Sequence, residues 1–154
     1  STRIEQCGYV GYPIYKDIRE ISELGNKEDY PFIMTTGARS PIRFASFGPS
    51  IPEIVKHEKR PMLDIGAIDA EQCGVKDGEW AYIETVFGRQ KFYVHICEIA
   101  EGCIHVPFGS GGVNMLGDWK NSNINETCSM KYHDELSGFL VYKSMPCKVY
   151  PADY

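Results

Sequence analysis

No apolar run in this chain approaches the roughly 20 residues that a membrane-spanning helix needs. Its first residues also lack the basic, apolar and small-residue succession of a signal peptide. Direct membrane insertion is therefore not expected. Excess positive charge is missing as well: 21 acidic residues against 16 basic ones leave a formal net charge of -5. Neither nucleic acid nor an anionic membrane would meet the positive field that such partners require. Any anionic ligand has to be held locally. The six cysteines, Cys7, Cys73, Cys97, Cys103, Cys128 and Cys147, include no CxxC pair. That excludes a redox motif and the dense framework of a small secreted scaffold, and leaves them as reduced, mostly buried small apolar residues. The chain begins at Ser1 rather than methionine, and the expectation is a segment of a longer protein.

What is present suits one globular domain. The 154 residues are 43% hydrophobic and 24% charged, enough to bury a core. Residues 1–28 are broken up by Gly8, Gly11, Pro13 and Gly25 and read as an irregular lead-in or linker, with room for two helical turns in "DIREISEL" at 17–24. Residues 29–154 read as the domain proper. Within it, "DYPFIMTTGARS" at 29–40 starts as a buried strand and breaks into Thr35, Thr36 and Gly37. "SIPEIVKHEKRP" carries helix-start signals, with Ser50 as the cap, Pro52 in the first turn and Glu53 three residues after Ser50. A brief strand over Met62 to Ile65 leads to a second helix over Asp69 to Cys73, closed by Gly74, and Asp77-Gly78 makes a tight turn.

Beyond that turn the pattern is β. "WAYIETVFGRQKFYVHIC" predicts two strands around a turn at Gly88-Arg89, with Phe92, Val94 and Ile96 on the core face and Tyr93, His95 and Cys97 opposite. "CIHVPF" and "FLVYKSMPCKVY" predict two more strands. Between them a polar, glycine- and asparagine-rich loop runs from Gly109 to about His133, too long for an idle connector. The expected class is mainly β with short helices, a barrel with helical caps.

The strand end at Thr36 and Gly37 suggests chemistry. Consecutive N–H groups there can curl into an anion-binding concavity, since Gly37 tolerates positive φ, with Arg39, Arg43, Ser40 and Ser46 nearby as further donors. The same residues also suit an ordinary strand end whose hydroxyls satisfy the backbone.

In order along the chain, "YPFIMTTGARSPIRFASF", "IPEI", "LDIGAIDAEQCGVKDGEWAYIETVFGRQKFYVHI", "CIHVPFG", "SNIN" and "DELSGFLVYKSMPCKV" resemble the C-terminal dinucleotide-binding domain of molybdopterin oxidoreductases. The resemblance implies a six-stranded double-psi β-barrel of the aspartate decarboxylase-like kind. It implies that this barrel holds a molybdopterin guanine dinucleotide cofactor carrying molybdenum or tungsten. It assigns cofactor contacts to Thr36, Gly37, Ala38, Arg39 and Ser46 in the first loop and to His105, Gly109, Asn123, Asn125, Tyr142 and Lys143 in the others. It assigns no catalytic residue and no metal ligand to this chain. The metal's protein ligand, and an iron–sulfur cluster where there is one, belong to preceding domains of the same enzyme, which are the implied partners along with an electron-transfer subunit. The segment alone is expected not to catalyse. The expected compartment is cytoplasmic, with relatives working on either side of the membrane and any export signal upstream.

Rival constellations are weaker. If Glu98 to Gly102 form a hairpin loop, His95 faces His105 and Cys97 faces Cys103, a Cys2His2 set of the kind zinc prefers, so a zinc-binding domain is one alternative. A protein-binding module is another. "GSGG" at 109–112 lacks the lysine of a phosphate loop, although Gly109-Ser110 resembles the self-cleaving dipeptide of pyruvoyl decarboxylases. The acidic pairs Asp69/Glu71 and Asp134/Glu135 read as helix-start and solvent-facing charges.

Overall fold

The computed structural model describes residues 2–10, 12, 14–15, 17–37, 45–134 and 137–152, and the side chains of these except 2, 3, 19, 45 and 46. Six strands carry the fold: β1 (Phe32–Thr36), β2 (Met62–Ile65), β3 (Trp80–Thr85), β4 (Gly88–Ile96), β5 (Cys103–Val106) and β6 (Met145–Pro151). They close a barrel in the order β1-β5-β2-β4-β3-β6. The pairs β1·β5 and β2·β4 are parallel, and β1·β6, β2·β5, β3·β4 and β3·β6 are antiparallel. Exchanging β1 with β4, β2 with β5 and β3 with β6 reproduces every neighbour and every direction. The chain therefore folds as two interlocked halves about a pseudo-two-fold axis between β2 and β5, the double-psi arrangement that the resemblance implies.

Alternation fills the interior. Phe32 and Met34 of β1, Leu63 and Ile65 of β2, Ala81 and Ile83 of β3, Phe92 and Val94 of β4, Ile104 and Val106 of β5, and Cys147 and Val149 of β6 are all buried, as period-two patterning requires. Leu24, in the 3-10 turn Ser22–Leu24 of the lead-in, is fully buried in the same cluster. Where two helical turns were expected at 17–24, two 3-10 turns form, Ile18–Glu20 and Ser22–Leu24. Three short α-helices complete the elements: α1 (Thr2–Gln6), α2 (Pro52–His57) and α3 (Ala67–Cys73). Among the described residues, no helix is long and apolar enough to cross a membrane.

Several boundaries differ from expectation, each for a local reason. Pro52 does start α2, but Ile51 holds the cap position, because the Ser50 hydroxyl donates to the Phe47 carbonyl at 2.8 Å instead. Helix α3 begins at Ala67 and carries Asp69 in its first turn, as a helix-start charge should be placed, but the side chain is buried and accepts the Gly102 N–H at 2.9 Å. Asp134 is exposed and accepts the Tyr9 hydroxyl; Glu135 lies outside the described residues. The Gly74 stop holds, at φ 69°. The β3–β4 turn is Val86-Phe87, not Gly88-Arg89: Thr85 and Gly88 already pair, and Thr85 Oγ1 accepts the Phe87 N–H at 3.1 Å. Gly88 serves close approach instead, since a Cβ there would lie 2.7 Å from the Glu126 carbonyl oxygen. Strand β5 stops at Val106, before Pro107 with its missing N–H. The last strand starts at Met145, not Phe139; Ser144 at φ 62° interrupts extended backbone, and Leu140 makes only an isolated bridge to His133.

Candidate functional site

The C-terminal ends of β1, β3 and β5 and the N-terminal ends of β2, β4 and β6 share one end of the barrel, by their pairing directions. The sequence-predicted loops gather there. Thr36, almost fully buried, donates its hydroxyl to the Tyr142 carbonyl at 3.3 Å and so ties the first loop to the last. Gly37, at φ 97°, is packed so that a Cβ would meet the Phe108 ring at 3.5 Å and Lys143 Cε at 3.7 Å. The Lys143 ammonium lies 5.9 Å from the Tyr142 ring centre, with no carboxylate partner among the described residues.

Beside this cluster opens a cavity of about 430 Å³, lined by Phe108, Asn125, Cys128, Ser129, Met130, Leu140 and Tyr142. Its floor belongs to the long loop, which carries the 3-10 turns Gly117–Asn121 and Ile124–Thr127. Side chains brace that loop from behind. Ser110 donates to the Ser122 carbonyl, Ser122 donates to the Lys91 carbonyl at 2.6 Å, and Trp119 Nε1 donates to the Glu58 carbonyl at 2.7 Å. The Gly109-Ser110 hydroxyl is thus a loop tie. Asn123 is bound up as well: its Oδ1 accepts the Asn125 N–H and its Nδ2 donates to Glu126, both at 3.3 Å. The Asn125 side chain has no hydrogen-bond partner among the described residues and faces the cavity.

Of the predicted contacts, Thr36, Gly37, Gly109, Asn125, Tyr142 and Lys143 thus meet at or beside one cavity, while Asn123 supports it. Ala38 and Arg39, with Ser40 and Arg43, lie outside the described residues, as does the Ser46 side chain. His105 is elsewhere. It sits on the outer face of β5, its Nδ1 2.9 Å from Asp64 Oδ2. Sequence reasoning missed the apolar lining: it read Phe108 and Leu140 as strand residues, whereas both lie with Met130 in the single connection between β5 and β6.

The predicted pairing of His95 with His105 and of Cys97 with Cys103 is overturned. Strand β2 lies between β4 and β5, so Asp64 is the register partner of both His95 and His105. Its carboxylate bridges them, Oδ1 being 2.8 Å from His95 Nδ1. Burial alone would push the Asp64 carboxyl up, but the hydrogen bonds and charge of His105 and His95 outweigh it and hold it below the usual carboxylate range. One potential ligand atom from each of Asp64, His95 and Cys97 lies within 4.8 Å of the others.

Known proteins share this architecture. Residues 32–134 match the family model described as "Molydopterin dinucleotide binding domain". Acetylene hydratase of Syntrophotalea acetylenica is 30% identical over 112 residues, 71% of this chain and 15% of that protein. Dopamine dehydroxylase of Eggerthella lenta is 25% identical over 129 residues, 81% of this chain and 13% of its own length. The solved structure of acetylene hydratase from Pelobacter acetylenicus superposes with a TM-score of 0.81 at 25% identity, covering 99% of this chain and 23% of that one. The chain therefore spans less than a quarter of the length of each of these relatives. With a closed six-stranded barrel and a family match across residues 32–134, this chain belongs to the molydopterin dinucleotide binding domain family.

Proposed function

We propose that this chain binds and orients a molybdopterin guanine dinucleotide at the loop end of its barrel, as one domain of a larger molybdenum or tungsten oxidoreductase. The observation that carries the reading is an open cavity lined by Asn125, Tyr142 and Phe108, with Gly37 and Lys143 packed beside the last two. The donor set fits such a ligand. A positive-φ glycine offers backbone N–H groups and a lysine offers a cation, which suit a pyrophosphate. An uncommitted amide suits the edge of a pterin or guanine, because it both donates and accepts. Phe108 and Tyr142 supply aromatic faces. When bound, the cofactor supplies a dithiolene-held metal that transfers electrons or oxygen atoms. The residues of this chain would bind it, orient it and keep water away.

Ala38, Arg39, Ser46, Gly109 and Asn123 are proposed to complete the loop contacts, with His105 the outlying member. Residues 29–154 are the proposed binding unit and residues 1–28 its lead-in, fastened by Leu24. The preceding domains would provide the metal ligand and any iron–sulfur cluster, an electron-transfer subunit would complete the redox path, and the compartment proposed is the cytoplasm. The chain by itself would not catalyse.

The test is cofactor retention in the full-length enzyme. Asn125→Ala and Lys143→Ala remove exposed side chains that have no hydrogen-bond or carboxylate partner among the described residues, so each should lower pterin content after gel filtration of the full-length enzyme while leaving the melting temperature of the cofactor-free domain unchanged. The loss of a hydrogen bond to a charged group, about 1.5–3 kcal/mol, predicts at least a tenfold weakening. Full pterin content in both variants would sink the assignment.

A further inference from the structure

The outer wall of the barrel carries a polar row that the loop-end cavity does not use. Thr35, His105, Asp64 and His95 are successive register partners across β1, β5, β2 and β4. Cys97 follows two residues after His95, and its N–H still donates to the Ile65 carbonyl at 3.0 Å. Strand alternation therefore keeps Cys97 on the face that presents His95. The row is accessible: the His95 and Asp64 side chains are 48% and 29% exposed, and Cys97 is half-buried and free of any disulfide.

We propose that Asp64, His95 and Cys97 form a zinc(II) site on this outer wall, with His105 positioning the Asp64 carboxylate through its second oxygen. One oxygen, one imidazole nitrogen and one sulfur are ligand types zinc accepts, and three protein ligands leave a fourth position for water. The thiol and imidazole disfavour calcium and magnesium, which prefer all-oxygen shells. Spacing is compatible. Ligands bonded at about 2.0–2.3 Å to a tetrahedral ion stand about 3.3–3.8 Å apart; here the Asp64 and His95 atoms are 2.8 Å apart and the whole set lies within 4.8 Å. Closing on an ion requires the hydrogen bond to open slightly and the half-exposed His95 ring to turn. Binding would release the Cys97 thiol proton to solvent as the sulfur–zinc bond forms, and it would need His95 Nδ1 unprotonated. His105 does for Asp64 what an outer-shell carboxylate does for a ligating histidine: it fixes the orientation of the ligand.

The three ligands take no part in the cofactor reading, which shares only its outlying member, His105, with this site, and the set differs from a Cys2His2 cluster because it uses Asp64 and omits Cys103. The test is metal titration of the full 154-residue chain after chelator washing, with zinc itself and with cobalt(II) as the spectroscopic probe. One equivalent of zinc should bind, and cobalt should give a thiolate charge-transfer band in the near ultraviolet. That band should vanish in Cys97→Ser and persist in Cys103→Ser. Zinc affinity should fall by at least about tenfold in His95→Gln and Asp64→Asn, and by about 10–100-fold in His105→Gln. His95 is an exposed strand residue whose ladder bonds are backbone bonds, so His95→Gln carries the test even if another variant fails to fold. Absence of stoichiometric zinc, a cobalt band that survives Cys97→Ser, or unchanged affinity in His95→Gln would overturn the proposal.

Discussion

Gly111 shows how much one hydrogen atom can matter. It has φ 87°, and an added Cβ would lie 2.4 Å from Asn123 Cβ, too close for any side-chain rotation to relieve. Gly111→Ala should cost about 1–3 kcal/mol or more through overpacking and left-handed strain, read as a lower urea midpoint at constant m. Asp64 makes a different kind of prediction. Its carboxyl is held below the ordinary value, so in acid the unfolded chain binds its proton first. The stability it contributes is complete above the unfolded value of about 3.9 and is lost as pH falls through the depressed folded value. Urea midpoints measured between about pH 5 and pH 2 should fall less steeply in Asp64→Asn than in the parent. Cysteine reactivity belongs to this scale too. Burial raises the thiols of Cys147 and Cys73, the latter up to about 11, so both should resist alkylation at neutral pH in the native chain and label readily in denaturant.

At the scale of elements, the β3–β4 hairpin and the long loop hold each other. Thr85 Oγ1 donates to the Thr127 carbonyl at 2.7 Å and accepts the Phe87 N–H at 3.1 Å, in a buried setting. Thr85→Val keeps the shape and strands both partners, so it should destabilise by about 1–3 kcal/mol. Thermal unfolding would register that loss, and an unchanged midpoint would mean the loop is fastened elsewhere. Local signals located β2, the Gly74 helix stop and the core face of β4, because each depends on residues adjacent in the chain. They misplaced the hairpin turn, because Gly88 is there to leave room for the Glu126 carbonyl, which lies far along the chain. They extended β6 back to Phe139 because an apolar run looks like a strand whether or not a neighbour pairs with it.

For the whole molecule, closure pairs both edges of each of the six barrel strands among the described residues, yet large apolar side chains remain outside. Val86, Val113, Leu116, Met130 and Phe139 are exposed in the turns and loops at the cavity end. If preceding domains cover that end in the full-length enzyme, the isolated chain should bind a hydrophobic dye strongly and the enzyme should not; equal binding by both would argue that this end stays open. Composition, alternation and the order of motifs by themselves determined the fold class, most strand positions and the family resemblance, since these depend on periodicity and local turn chemistry. Only tertiary structure decided which side chains meet. Asp64 stands between His95 and His105 because β2 runs between two strands that neighbour each other in sequence, and Asn125 shares a cavity with Phe108 and Tyr142 because β5 and β6 both flank β1, so that the connection between them folds back over one end of the barrel. Such contacts depend on strand order, which no local stretch of the chain encodes.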